Sequence, residues 1–257
     1  MTTTAPPEPP SVPPEDEPGE KYLTLFEHLK ELRYRLTVSV VAVVIGIVIS
    51  ASFGGELIEF LKQPGEDRRE GFDLQFIEPF ENFAAYFRVS LMGGLTLAMP
   101  VIVFQVIRFL APGLRGSERR WLWFTALGAG LFFLAGVAFA YYIALPPALD
   151  FLLNFQTDVA KPSIRVGAYI DFVTRLLFWS GVSFETPIVI AFLARFRIVT
   201  WRQLLQWWRL ALVGSFVVAA VITPSIDPVT QTLVAGPIIV LYVIGMILAF
   251  LVQPRSG

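Results

Sequence analysis

LTVSVVAVVIGIVISASFGG, residues 36–55, runs for twenty residues without a charge. The hydrocarbon core of a bilayer is about 30 Å thick and takes about 20 apolar residues of helix to cross. The stretch therefore reads as a membrane span, and composition agrees. The chain of 257 residues is 55% hydrophobic and 16% charged, whereas soluble domains run near a quarter charged. Cysteine is absent and His28 is the one histidine. That excludes disulfides, thiol catalysis, thiolate metal sites and His-cluster metal sites. No metal or other cofactor is expected, and an enzyme is disfavoured. A net charge of −1 gives no bulk attraction to nucleic acid.

Upstream of the span, Tyr22, Leu25, Phe26, Leu29, Leu32 and Leu36 recur at helical spacing. Glu27, Lys30, Glu31, Arg33 and Arg35 fall between them. This predicts a short amphipathic helix at the interface that feeds the first span. Residues 1–20 are rich in proline and carry Glu8, Glu15, Asp16, Glu17 and Glu20. Too little apolar surface is available there to offset ordering entropy, so a disordered cytoplasmic tail is expected. The tail has no basic region ahead of an apolar core and is not read as a secretory signal peptide.

Downstream, five more apolar stretches follow, at about 86–109, 121–147, 170–195, 207–224 and 228–250. The expectation is an all-α integral membrane protein with six transmembrane helices over a membrane domain of residues 21–253 and a short tail at 254–257. The third span is long enough to tilt or to extend past the bilayer. The fifth is short, and only a Thr-Pro-Ser-Ile-Asp-Pro turn at residues 223–228 separates it from the sixth, so the two form a tight hairpin. Lysine and arginine set the orientation. Lys21, Lys30, Arg33 and Arg35 precede span one; Arg108, Arg115, Arg119 and Arg120 join spans two and three. Arg195, Arg197, Arg202 and Arg209 join spans four and five, and Arg255 ends the chain. They outnumber Lys62, Arg68, Arg69, Lys161 and Arg165 on the other side. Both termini are thus expected in the cytoplasm. The outer loops, residues 56–82 and 150–170, are the bulky ones and are large enough for a structured outer cap. No internal repeat stands out of the kind secondary transporters carry.

Three features carry candidate chemistry. Glu185 interrupts the fourth span in Phe-Trp-Ser-Gly-Val-Ser-Phe-Glu-Thr-Pro, residues 178–187. An acid at bilayer depth costs roughly 2.5–3.5 kcal/mol on insertion scales and is functional by default. It serves either a partner helix, a substrate or a proton, or else a structural bond to a neighbouring hydroxyl or to a backbone group freed at the Pro187 kink. Glu31 and Glu118 are carboxylates on a basic face. Singly, Glu31 reads as an i,i+4 pair with Arg35, and Glu118 as a first-turn acid behind a Ser117 cap. Together they suit guanidinium ligands, whose planar fork matches a carboxylate. Thr223 and Gln231 flank the last hairpin and either meet a partner helix or bond within the hairpin.

In this order the motifs resemble the TatC family, the multi-span receptor subunit of the twin-arginine protein translocase. The likeness runs from residue 22 to about 247. It rests on His28-Leu29-x-Glu31-Leu32-Arg33-x-Arg35-Leu36, Pro79-x-Glu81-x-Phe83, Phe109-x-Ala111-Pro112-Gly113-Leu114 and Glu118-Arg119-Arg120. Gly136-x-Ala138-Phe139-x-Tyr141, Phe184-Glu185-x-Pro187, Thr223-Pro224 and Gln231-Thr232-Leu233 complete it. The resemblance implies a concave, glove-like bundle in the cell membrane and no catalysis. It implies binding of twin-arginine signal peptides of folded precursors, the single-span partners TatA and TatB, self-association in a receptor complex, and transport driven by the proton-motive force. By matching position, Glu31 and Glu118 would meet the signal arginines, with Arg33, Arg35, Phe109 and Pro112 supporting them. Glu185 would be the intramembrane glutamate, and Thr223 and Gln231 would lie where a partner helix docks. The hairpin is one residue longer than the commoner Thr-Pro-Pro-Asp form, and Val243 follows Tyr242 where some relatives carry an acid. The rival class is a proton-coupled small-molecule transporter with Glu185 as proton carrier, which calls for a repeat architecture and further polar residues at the midplane.

Overall fold

The computed structural model describes residues 25–69, 71–110, 119–154, 164–223 and 228–253. The chain is a multi-pass helical membrane bundle. Among the described residues, five helical segments are long and apolar enough to cross a bilayer.

The first, α1 (Leu25–Ser52), is one unbroken helix. The expected interfacial helix is therefore not a separate element; its residues form the first turns of span one. The chain turns at Phe53 and α2 (Gly54–Glu66) begins, so the Gly54–Gly55 pair assigned to the end of the span belongs to the next helix. α1 packs against α3 (Glu81–Leu110). Small residues set how close the two run. A Cβ on Gly46 would overlap the Gly94 carbonyl, and one on Gly93 would overlap Ser50 Oγ. Tyr86 donates its hydroxyl to the Ala51 carbonyl and closes the C-terminal end of α1 onto α3.

The third span is α4 (Arg119–Phe139), a π turn at Ala140–Ala144, and α5 (Leu145–Asn154) in one continuous run. It goes on past residue 147, where the apolar reading ended. The π turn sits where Pro146 and Pro147 remove two successive N–H donors, so the ladder is already broken there. Leu145 N–H bonds the Ala140 carbonyl across the wide turn.

The fourth span is divided. α6 (Val166–Phe184) stops at Glu185, and α7 (Thr186–Arg195) starts beyond it. α8 (Trp201–Gln206) opens on a reciprocal Thr200–Gln203 capping box. The expected fifth span is α9 (Trp208–Ile222), 15 residues long. At 1.5 Å per residue it reaches about 22 Å, short of the roughly 30 Å hydrocarbon core. α10 (Pro228–Val252) packs on α7 and α9.

The largest core lies between α3, the third span and α6, and includes Val89, Leu145, Leu149, Ile170, Val173 and Leu176. At one end of the bundle the two long loops meet. β1 (Leu74–Gln75) and β2 (Ile164–Arg165) pair in parallel, Leu74 with Ile164 and Gln75 with Arg165. This short ladder is the one departure from an all-helical chain among the described residues.

Glu81 ties that junction together. Its Oε2 accepts from Ile77 N–H at 2.9 Å, and its Oε1 accepts from Gly167 N–H at 3.1 Å and from Arg165 Nε at 3.3 Å. Arg165 also donates to Glu78 Oε1 at 3.1 Å, and its bonds to the Glu81 and Glu78 carboxylates raise the Arg165 pKa. Tyr141 and Tyr169 donate to the carbonyls of Phe60 and Leu61 at 2.8 Å, pinning α2 from beneath.

Candidate functional site

His28, Glu31 and Arg35 recur at three and four residues along α1 and share one face of it. Gln105 and Phe109 are four apart on α3. Because α1 and α3 run antiparallel about the Gly46–Gly94 crossing, these two faces meet. The His28 and Phe109 rings stack at 4.5 Å between centroids. Arg35 gives Nε and Nη2 to Glu31 Oε1 at 3.2 and 2.6 Å, and Nη1 to Gln105 Oε1 at 3.1 Å.

The Arg35 side chain is only 11% exposed and that of Glu31 23%. A guanidinium this far from water is stable only when its donors are bonded. Here both its carboxylate and its amide partner are supplied within the chain. The i,i+4 pair expected from spacing is therefore real, and it has a third member. Both bonds from Arg35 go to Glu31 Oε1 and neither to Oε2. Arg33 lies exposed on the outer side of the same helix. Glu118 and Pro112 fall outside the described residues, as does Asp227.

Glu185 stands in the break between α6 and α7, with φ −70° and ψ −20°. Its residue is 6% exposed, and neither carboxylate oxygen has a hydrogen-bond partner among the described residues. The nearby Ser183 hydroxyl donates instead to the Trp179 carbonyl at 2.8 Å. The structural bond to a neighbouring hydroxyl weighed above is thus not made to Ser183. A buried acid without a hydrogen-bond partner is costly.

Thr223 and Gln231 bond inside the hairpin. Thr223 Oγ1 donates to the Ala219 carbonyl at 2.9 Å, and Gln231 Nε2 donates to the Phe216 carbonyl at 3.1 Å. Gln231 thereby crosses from α10 to α9.

Glu31, Arg35 and Phe109 come together in one cluster; Glu185, Thr223 and Gln231 do not join it. Sequence reasoning missed Gln105. Its signal was present: a lone amide in the apolar run of residues 101–107, one turn before Phe109. It also treated Glu81 as part of a motif without a partner, although Glu81 is the most heavily bonded acid among the described residues.

A family model described as "Sec-independent protein translocase protein (TatC)" matches residues 27–237. The chain belongs to the TatC family. Its relatives include the Deinococcus radiodurans Sec-independent protein translocase protein TatC, 41% identical, with 88% of this chain and 85% of the relative covered. The chloroplastic Sec-independent protein translocase protein TATC of Arabidopsis thaliana is 40% identical over 90% of this chain. The chain spans about two thirds of the length of the chloroplast relatives, 67% of the Arabidopsis one and 64% of that of Pisum sativum. A crystal structure of the twin arginine translocase receptor TatC superposes with a TM-score of 0.81 at 38% identity, covering 88% of this chain and 99% of that one. The whole α1–α3 cluster lies within the residues matched by the family model.

Proposed function

We propose that this TatC-family chain is the core receptor and scaffold of a twin-arginine protein translocase, acting by binding rather than by catalysis. The Glu31–Arg35–Gln105 cluster carries the reading. It holds one carboxylate in a fixed orientation at the end of α1, beside the stacked His28 and Phe109 rings. Arg35 is a positioning residue: with Gln105 it fixes Glu31, whose Oε2 accepts an arginine of the signal peptide. Glu118 accepts the second arginine, and Arg33 and Pro112 shape the surround.

In this proposal six helices cross the cell membrane, with α9 as a short fifth span and both termini in the cytoplasm. The bundle is concave and glove-like, the paired outer loops cap its far side, and residues 1–20 form a disordered cytoplasmic tail ahead of the membrane domain of residues 21–253. TatA and TatB are the single-span partners, docking near Thr223 and Gln231, and copies of the chain associate in a receptor complex. Glu185 receives a polar group of a partner helix or of the inserted signal. The α9 length supports this arrangement, because a span several ångströms short draws the bilayer thinner around it.

The test is cross-linking of a twin-arginine precursor to the Glu31→Ala/Glu118→Ala variant, together with export of that precursor. Loss of both is expected; unchanged cross-linking and export would remove the docking assignment.

A further inference from the structure

The arginines of the α7–α9 connection differ from most of the cations at the β1–β2 end. At the β1–β2 end, Lys62, Arg68, Arg88, Arg165 and Arg175 each lie within 3.3 Å of a carboxylate. At the opposite end, the segment joining α7 to α9 carries Arg195, Arg197, Arg202 and Arg209, and none of them has an ion pair among the described residues. No acidic residue occurs between Thr186 and Ile226. Among the described residues no carboxylate neutralises the positive charge of this segment.

The segment's local chemistry narrows what would neutralise that charge. Arg197 has φ 58° and is the one described non-glycine residue with positive φ. It occupies the left-handed turn that closes α7, where Ile198 N–H reaches back to the Leu193 carbonyl and where glycine is the usual residue. A guanidinium kept at a position that favours glycine has a use other than ending a helix. Arg202 lies over the Trp201 ring at 5.6 Å, and Arg209 over the Trp208 ring at 5.5 Å. Ile198, Trp207 and Trp208 are exposed between these cations. Exposed indoles at the ends of spans mark headgroup level, and arginine is the side chain suited to phosphate.

We infer that the α7–α9 connection is a binding site for anionic phospholipid headgroups: the arginines take the phosphate, and the indoles and Ile198 sit among the upper acyl carbons. Because this segment lies at a membrane surface in either orientation, the site does not depend on which end of the bundle is cytoplasmic, nor on the receptor role.

The test uses the full chain purified in detergent, with phosphatidylglycerol or phosphatidylcholine added and retained lipid counted by native mass spectrometry. Preferential retention of phosphatidylglycerol is expected. It should fall roughly fivefold per arginine removed, and so by well over tenfold in Arg197→Gln/Arg202→Gln/Arg209→Gln. Arg197→Gly relieves the left-handed backbone, so it should melt no lower than the parent and still lose about fivefold in retention. Arg68→Gln/Arg175→Gln, at the paired end, should retain lipid as the parent does. Equal retention by the triple variant, or no preference over phosphatidylcholine, overturns the assignment. Displacement of the lipid by millimolar inorganic phosphate would make the site one for free phosphate. Displacement by a peptide of residues 1–20 would give the arginines to the chain's own acidic tail. Either result overturns the lipid assignment.

Discussion

Gln105 is an uncharged residue whose value lies in where it aims a charged one. Its Oε1 accepts from Nη1, the one Arg35 nitrogen that Glu31 does not use. Hydrogen bonds to charged groups contribute about 1.5–3 kcal/mol, enough to hold one rotamer over its rivals. Gln105→Leu should leave the bundle folded, with a melting temperature within a few degrees of the parent, while precursor cross-linking near Glu31 falls several-fold. Gln105→Asn, too short to reach Arg35, should behave like the leucine variant. Normal cross-linking in both would remove Gln105 from the site. At the other end, Glu81→Ala strips a carboxylate that satisfies backbone N–H groups of two loops. Hydrogen bonds to a charged group contribute about 1.5–3 kcal/mol each. A marked drop in melting temperature is expected, with proteolytic nicking between residues 67 and 80 as its accompaniment.

Among elements, α1 depends on one seam. Its outward face is a row of aliphatic side chains, Val40, Val41, Val44, Ile45 and Val48, all exposed to the surrounding lipid. Against α3 it presents Gly46, and α3 answers with Gly93 and Gly94. Gly94→Ala would place a methyl against the α1 backbone at Ile47. Overpacking of this kind costs about 1–3 kcal/mol, so the variant should lose thermal stability and pull the His28–Phe109 stack apart, which a cross-link between positions 28 and 109 would report. This scale also shows how far the sequence carried. Long apolar runs located the five helices that are long enough to cross, because length and low charge are properties of a single segment. The break at Glu185 was legible because Glu-Thr-Pro names its own cause. What Gln105 and Glu81 bond to was not legible. Gln105 meets Arg35 at a separation of 70 residues, and Glu81 meets Gly167 at 86. A solitary polar residue in an apolar helix announces that a partner exists but carries no mark of which one. The Glu31–Arg35 pair was readable because its members are one turn apart.

For the molecule as a whole, orientation is open to a clean measurement because the chain has no cysteine. Ile77 and Ile198 are both exposed and lie at opposite ends of the bundle. In intact cells an impermeant maleimide should label Ile77→Cys and spare Ile198→Cys until the membrane is opened. The reverse pattern would invert the proposed topology and move the docking site to the outside. The π turn at Ala140–Ala144 bears on the whole bundle too. Ala140, Ala144 and Ala148 are buried at intervals of four residues. In a regular helix each such step drifts 40° around the axis, since 3.6 residues make a turn. The wide turn absorbs that drift and works as a phase corrector, setting the two halves of a long helix to face the same interior. A chain one residue shorter there would spin α5 by about 100°. Leu149 would then leave the core for the hydrocarbon, and every contact of the far half of that span would be offered to the wrong neighbour.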